Sequence, residues 1–134
     1  MKYNGIIENN LRVIEQKLDE INSWEIDSFE KLKNSTLLQN ASERALQVAI
    51  EMMIDICERI SAIEKIQPLD SSSECIAKLQ EMKIIRPFPE YKEMVKFRNF
   101  IVHRYERIDV EIIYSILKNK IQLFGFFIED IRNS

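Results

Sequence analysis

The stretch KFRNFIVHRY, residues 96–105, lies at the centre of the predicted fold. Phe97 and Ile101 belong to an apolar series with three- and four-residue spacing, which predicts a helix with one face in a core. Arg98 falls beside that face, and His103, five residues later, is the only histidine in the chain. Because burying an unpaired charge is costly, we expect Arg98 to face a groove, an interface or a carboxylate.

The composition indicates one compact all-helical domain spanning residues 1–134. The chain is 46% hydrophobic and contains only two glycines and three prolines, which is typical of a domain with a substantial core and few turns. Cys57 and Cys75 lie within helical patterns and are not closely spaced, so neither a disulfide framework nor a zinc site is predicted. The N-terminus has no apolar signal core, and no apolar run reaches roughly 20 residues. We therefore expect a cytoplasmic protein with no membrane contact.

The charge distribution is uneven. The net charge of −3 does not by itself indicate a nucleic-acid partner. Residues 83–107, however, contain seven Lys or Arg and three Glu, a local excess of four, so the remainder carries −7. A basic patch of this kind can hold a phosphate backbone. Ordinary solvated helix charge explains Lys83, Lys92 and Lys96 equally well.

Apolar periodicity and capping boxes predict an up-and-down helical bundle. The third predicted helix would be about 45 Å long, which is longer than a domain of this size is wide, so part of it is expected to pack on a partner subunit. The predicted helices run from about Ile6 to Asn22, from an Asp27 cap to about Lys33, from a Thr36 cap to about Ile66, from a Ser71 cap to Met82, from Pro89 through His103, and from an Asp109 cap to Ile131.

The motif carries a resemblance to a known family. Arg98, Asn99, His103 and Tyr105 match the R-x4-H-x-Y element of HEPN-domain toxins of the HepT type, including the polar residue after the arginine. The similarity continues in the long third helix, from Glu43 to Ile50 and from Ile54 to Ile56, and after the motif, from Ile108 to Leu117. The chain thus resembles the toxin half of HepT/MntA toxin–antitoxin pairs over most of its length.

The resemblance implies a HEPN-like homodimer with metal-independent ribonuclease activity, in which two copies of the motif face one cleft. It also implies a partner, a minimal nucleotidyltransferase antitoxin of the MntA type, which AMPylates the tyrosine matched here by Tyr105. We expect no cofactor and no catalytic metal, because a lone histidine with scattered carboxylates forms no recognisable ligand cluster.

The side chains of the motif suit this chemistry. Imidazole transfers protons near neutral pH, since its unperturbed pKa is about 6.5, and a guanidinium donates two hydrogen bonds to a phosphate. About 7.5 Å separates Arg98 from His103 along a regular helix, a distance suited to flanking one phosphodiester. We assign Arg98 to phosphate and transition-state stabilisation and His103 to general acid or base catalysis. Asn99 would orient the imidazole or bind a phosphate oxygen, and Tyr105 would stack on a base or bind phosphate.

One histidine per chain is too few if both an acid and a base are required, and a twofold dimer supplies the second imidazole. Structural alternatives remain open for each residue. Arg98 would form a buried salt bridge with Asp55 or Glu51. His103 would be a surface or capping residue, and Tyr105 a boundary aromatic. For the whole chain, the alternative is a non-catalytic helical partner of a nucleotidyltransferase.

Overall fold

The computed structural model describes residues 3, 5–66, 70–103 and 108–134. These residues form seven α-helices and contain no strand, so the predicted all-helical bundle is confirmed. In chain order the helices are α1 (Ile6–Ser23), α2 (Phe29–Lys33), α3 (Thr36–Ile63), α4 (Ser72–Glu81), α5 (Glu90–His103), α6 (Val110–Asn119) and α7 (Gln122–Arg132).

Helix α3 is the centre of the bundle. It packs against α1, α2, α4, α5 and α6, and at 28 residues it is about 42 Å long. Its side chains Leu46, Ile50 and Ile56 are completely buried, and each such side chain contributes roughly 1.5–3 kcal/mol relative to an exposed one. The position of the other helices is therefore set mainly by how their apolar faces meet α3.

Two of the predicted helix caps are displaced by one residue. Ser28 caps α2 and Ser35 caps α3, and each hydroxyl accepts the backbone N–H three residues later, at 3.2 and 3.1 Å. The predicted caps at Asp27 and Thr36 are therefore wrong. The predicted caps Ser71 and Asp109 are confirmed, because their side chains accept N–H groups of α4 and α6.

Gln39 shows why the capping box at the start of α3 was misplaced. A capping box that begins at Thr36 would use the Gln39 side chain, but that side chain instead donates to the Leu32 and Lys33 carbonyl oxygens, each at 3.0 Å. These carbonyls lie in the last turn of α2, where orphan acceptors need partners. The buried Gln39 amide thus ties α2 to α3 rather than capping its own helix.

Helix α3 ends at Ile63, three residues before the predicted end. Lys65 adopts a left-handed conformation with φ of 57°. Its N–H donates to the Ala62 carbonyl at 3.2 Å, and the Ile66 N–H donates to the Ser61 carbonyl at 2.9 Å. This is the Schellman arrangement, in which two orphan carbonyls are satisfied as the chain leaves the helix.

The last predicted helix is two helices. Lys120 leaves the helical conformation with φ of −124°, and the Gln122 side chain donates to the Asn119 carbonyl at 2.8 Å. The Lys120 ammonium also pairs with Glu93 on α5 at 2.6 Å. The helix is therefore interrupted between Asn119 and Gln122, although the apolar pattern runs on through the break.

The two cysteines are free and buried, in agreement with the sequence analysis. Burial raises the pKa of the Cys57 thiol and of the Cys75 thiol, so both remain protonated near neutral pH. The Ser61 hydroxyl lies 3.1 Å from the Cys75 sulfur. Among the described residues, no helix is both long and apolar enough to span a bilayer.

Candidate active site

Helix α5 carries the motif and is fixed by aromatic packing along its inner face. Tyr91 is completely buried, and its hydroxyl donates to the Leu123 carbonyl at 3.2 Å. The Tyr91 ring packs edge-on against Phe127 at 6.1 Å and against Phe88 at 5.8 Å. Phe97, one residue before the motif arginine, is 6% exposed. The helix is therefore held against α7 and the core, as the spacing of its apolar residues predicts.

Arg98 turns towards the first residue of α4. It is partly buried, and its Nη2 donates to the Ser72 hydroxyl oxygen at 3.4 Å. Its Nε is fully enclosed and has no hydrogen-bond partner. Within the described ranges, no carboxylate forms an ion pair with this guanidinium. By contrast, every one of Arg12, Arg59, Arg86 and Arg132 pairs with at least one carboxylate.

The salt bridge considered for Arg98 is absent from the described structure. Asp55 instead accepts hydrogen bonds from Asn10 at 2.6 Å and from Arg59 at 2.7 Å. Glu51 accepts a hydrogen bond from Gln47 on its own helix at 3.1 Å. Both carboxylates suggested as partners are thus engaged elsewhere, and the positive charge of Arg98 is not neutralised by them.

His103 is the last residue of α5 and is exposed. Asn99, one turn earlier, is also exposed, as expected for residues four apart on a helix. At about 100° per residue, Arg98 and His103 point in directions about 140° apart around the helix axis. One chain therefore presents its imidazole to solvent while its guanidinium lies against α4.

Tyr105 lies outside the described residues, as do Arg104 and Arg107 from the predicted basic patch. Apart from Arg98, the described basic residues of the stretch 83–107 are Arg86 and three lysines. Arg86 is held by Glu129 at 2.7 Å and Asp130 at 3.0 Å, so its charge is already matched. Lys83, Lys92 and Lys96 are exposed.

A groove of about 550 Å³ runs between α5 and α6. Phe97, Phe100 and Ile116 contribute to its apolar lining. Its charged lining comprises Lys96 and Lys120 together with Glu93, Asp109 and Glu111, and Lys120 is ion-paired with Glu93. His103 follows Phe100 by three residues, which places the two side chains about 60° apart around α5. Neither His103 nor Arg98 is among the residues that line the groove. Among the described side chains, no group of three or more His, Cys, Asp or Glu is placed to hold a metal ion.

An all-helical bundle with an Arg-x4-His pair at the end of one helix is the arrangement that the resemblance to HEPN-domain toxins implies. Residues 7–131 match the family described as Ribonuclease HepT-like. The chain belongs to this family.

The mRNA nuclease HepT of Shewanella oneidensis is 27% identical over 131 residues, covering 96% of this chain and 98% of that protein. The tRNA nuclease HepT of Aphanizomenon flos-aquae is 26% identical over 132 residues, covering 96% and 88%. A solved structure of the tri-AMPylated HEPN toxin of Shewanella oneidensis, in complex with the MNT antitoxin, resembles this chain with a TM-score of 0.88 and 26% identity. The similarity covers 98% of this chain and 100% of that one.

Proposed function

We propose that this chain is a metal-independent endoribonuclease and the toxin of a toxin–antitoxin pair. One observation carries the proposal: Arg98 is a partly buried guanidinium that no described carboxylate neutralises. A charge in such a place is costly unless an anion meets it. In a chain of this family, the phosphodiester of an RNA substrate is the anion that fits. The names of the two HepT relatives, both nucleases acting on RNA, support the same substrate class.

The proposed reaction is an internal transesterification. A neutral imidazole takes the proton of the ribose 2′-hydroxyl, and the 2′-oxygen attacks the adjacent phosphorus. The bond to the 5′-oxygen breaks, and an imidazolium gives that oxygen its proton. The products are a 2′,3′-cyclic phosphate and a free 5′-hydroxyl. Arg98 would hold the non-bridging oxygens, where negative charge grows in the transition state.

The proposed site is a cleft shared by two protomers. Within one chain, His103 and Arg98 diverge around α5, and there is one imidazole for two proton transfers. A twofold arrangement supplies a second imidazole and brings like residues together near the axis.

Cleavage of RNA by the purified chain in excess EDTA tests the proposal. We expect RNA fragments that end in a 2′,3′-cyclic phosphate. Fragments that appear only after Mg²⁺ or Mn²⁺ is added would contradict the metal-independent reaction. Intact RNA, together with stable binding of a nucleotidyltransferase, would support the non-catalytic alternative instead.

We further propose that a nucleotidyltransferase antitoxin of the MntA type silences this chain by attaching AMP to Tyr105, in the cytoplasm where both proteins meet RNA. The tri-AMPylated state of the Shewanella oneidensis toxin supports this mode of control. Tyr105 is two residues from His103 in sequence. Each AMP would add bulk and negative charge beside the cleft and so repel the RNA backbone.

Coexpression with the cognate antitoxin is expected to abolish toxicity and to leave AMP on Tyr105. The Tyr105→Phe chain keeps the ring but lacks the phenolic oxygen, so it should remain unmodified and toxic. Tyr114, on α6, is the matched control, and Tyr114→Phe should be silenced like the unaltered chain. Peptide mass spectrometry locates the modification. AMP found on another residue in the fully silenced chain would refute the assignment.

A further inference from the structure

Ser72 forms a side-chain hydrogen bond that plays no part in capping α4. It is the first residue of that helix, 26 residues before Arg98 in sequence. The cap is provided by Ser71, whose hydroxyl accepts the Glu74 N–H at 3.1 Å. The Ser72 hydroxyl is thus free of the capping role, and its oxygen accepts a hydrogen bond from Arg98 Nη2 at 3.4 Å.

The surroundings of this contact are unfavourable for a cation. The N-terminus of a helix carries a partial positive charge, so a guanidinium beside it is destabilised. Two acidic residues, Asp70 and Glu74, lie at this end of α4, but both are exposed. The Glu74 carboxylate accepts the Asp70 N–H at 3.0 Å, and neither acid forms an ion pair with Arg98. The described contact that orients the guanidinium is therefore with a neutral hydroxyl.

A neutral hydrogen-bond partner leaves the positive charge of Arg98 able to attract an anion. A carboxylate would orient Arg98 equally well, but it would also neutralise the charge and compete with a phosphate. A hydroxyl oxygen occupies one N–H of the planar fork and leaves the charge and the Nη1 donors available, whereas Nε is enclosed. Orientation matters because bidentate recognition of phosphate requires the fork to lie in one plane with two oxygens.

We infer that Ser72 is a positioning residue for Arg98, which fixes the guanidinium in the orientation that meets the RNA phosphate. The inference rests on the proposed ribonuclease function. Ser72 acts through Arg98 and does not itself touch the reacting atoms. Its loss should therefore lower kcat and leave KM nearly unchanged, because the contact matters most where charge develops in the transition state.

The test compares three full-length variants in the EDTA cleavage assay. Ser72→Ala is expected to lower kcat about tenfold, equivalent to about 1.4 kcal/mol, with KM and the melting temperature close to those of the unaltered chain. Ser72→Thr keeps the hydroxyl and should restore most of the rate. Ser73→Ala removes a neighbouring partly buried hydroxyl from the same turn and should leave kcat unchanged.

A double-mutant cycle separates positioning from direct contact with RNA. In an Arg98→Met background, Ser72→Ala should change the residual single-turnover rate less than about twofold, because there is no guanidinium left to orient. A further tenfold loss in that background would overturn the inference. A Ser72→Ala chain that is as active as the unaltered chain would also overturn the inference, but it would leave the proposed ribonuclease function intact. If the unaltered chain fails to cleave RNA, the proposed function fails and the inference with it.

Discussion

Replacement of His103 by alanine is expected to lower RNA cleavage by roughly 10²–10⁴-fold, the range that a positioned acid or base contributes. The fold should be unaffected. His103 is exposed at the end of α5, and surface substitutions usually change the free energy of unfolding by about 0.5 kcal/mol or less. Loss of activity with an unchanged melting temperature would therefore place the effect in catalysis.

The measurement is single-turnover cleavage in EDTA, accompanied by thermal unfolding of each chain. Lys33→Ala is the control, because Lys33 is an exposed residue of α2 and lies outside the basic stretch of residues 83–107. It should cleave at close to the rate of the unaltered chain. If His103→Ala retains that rate, His103 is not the proton-transfer group, and the surface role considered from the sequence is correct.

Replacement of Arg98 by methionine is expected to lower the cleavage rate without lowering the free energy of unfolding. Loss of a guanidinium that stabilises transition-state charge should lower kcat by roughly 10²–10³-fold. The free energy of unfolding should stay the same or rise. Arg98 Nε is buried without a partner, and removing such a group relieves a desolvation cost of about 1–3 kcal/mol. Methionine keeps an unbranched apolar side chain of similar length at this position.

Arg132→Met is the contrasting control. The Arg132 guanidinium joins α7 to α1 by hydrogen bonds to Glu8 at 2.7 Å and Glu15 at 2.8 Å. Its loss should lower the melting temperature and leave kcat nearly unchanged. Chemical denaturation and the cleavage assay measure the two effects. An Arg98→Met chain that is destabilised as strongly as Arg132→Met would show that Arg98 serves the fold rather than the reaction.

The residues that end helices show what the sequence could not reveal. Glu25, Lys65 and Lys83 all have positive φ, between 49° and 60°, and each follows the last turn of a helix. Glycine is the usual residue at such positions. Because the chain uses charged residues there instead, the usual signal is missing, and the end of α3 was placed three residues too late. The presence of helices follows from apolar periodicity, which is visible in the sequence, and it was predicted correctly except that the last predicted helix is two helices, α6 and α7.

The candidate site also has features that the sequence predicts and one feature that it does not. The apolar face of α5 follows from local spacing, so the burial of Phe97 and the exposure of His103 are both consistent with the pattern. The orientation of Arg98 depends on Ser72, which is remote in sequence, and no local pattern indicates that contact. The ion pairs suggested with Asp55 and Glu51 were wrong because helical neighbours on α1 and α3 reach those carboxylates first.

The proposed mechanism requires that two imidazoles, one from each chain, take part in one cleavage reaction. A dimer of one unaltered chain and one His103→Ala chain, isolated through two different affinity tags, measures this directly. If one imidazole acts as base and the other as acid in a shared cleft, the mixed dimer should cleave RNA at less than about one tenth of the unaltered rate. A rate of about half would mean that each chain works alone, and it would contradict the shared cleft.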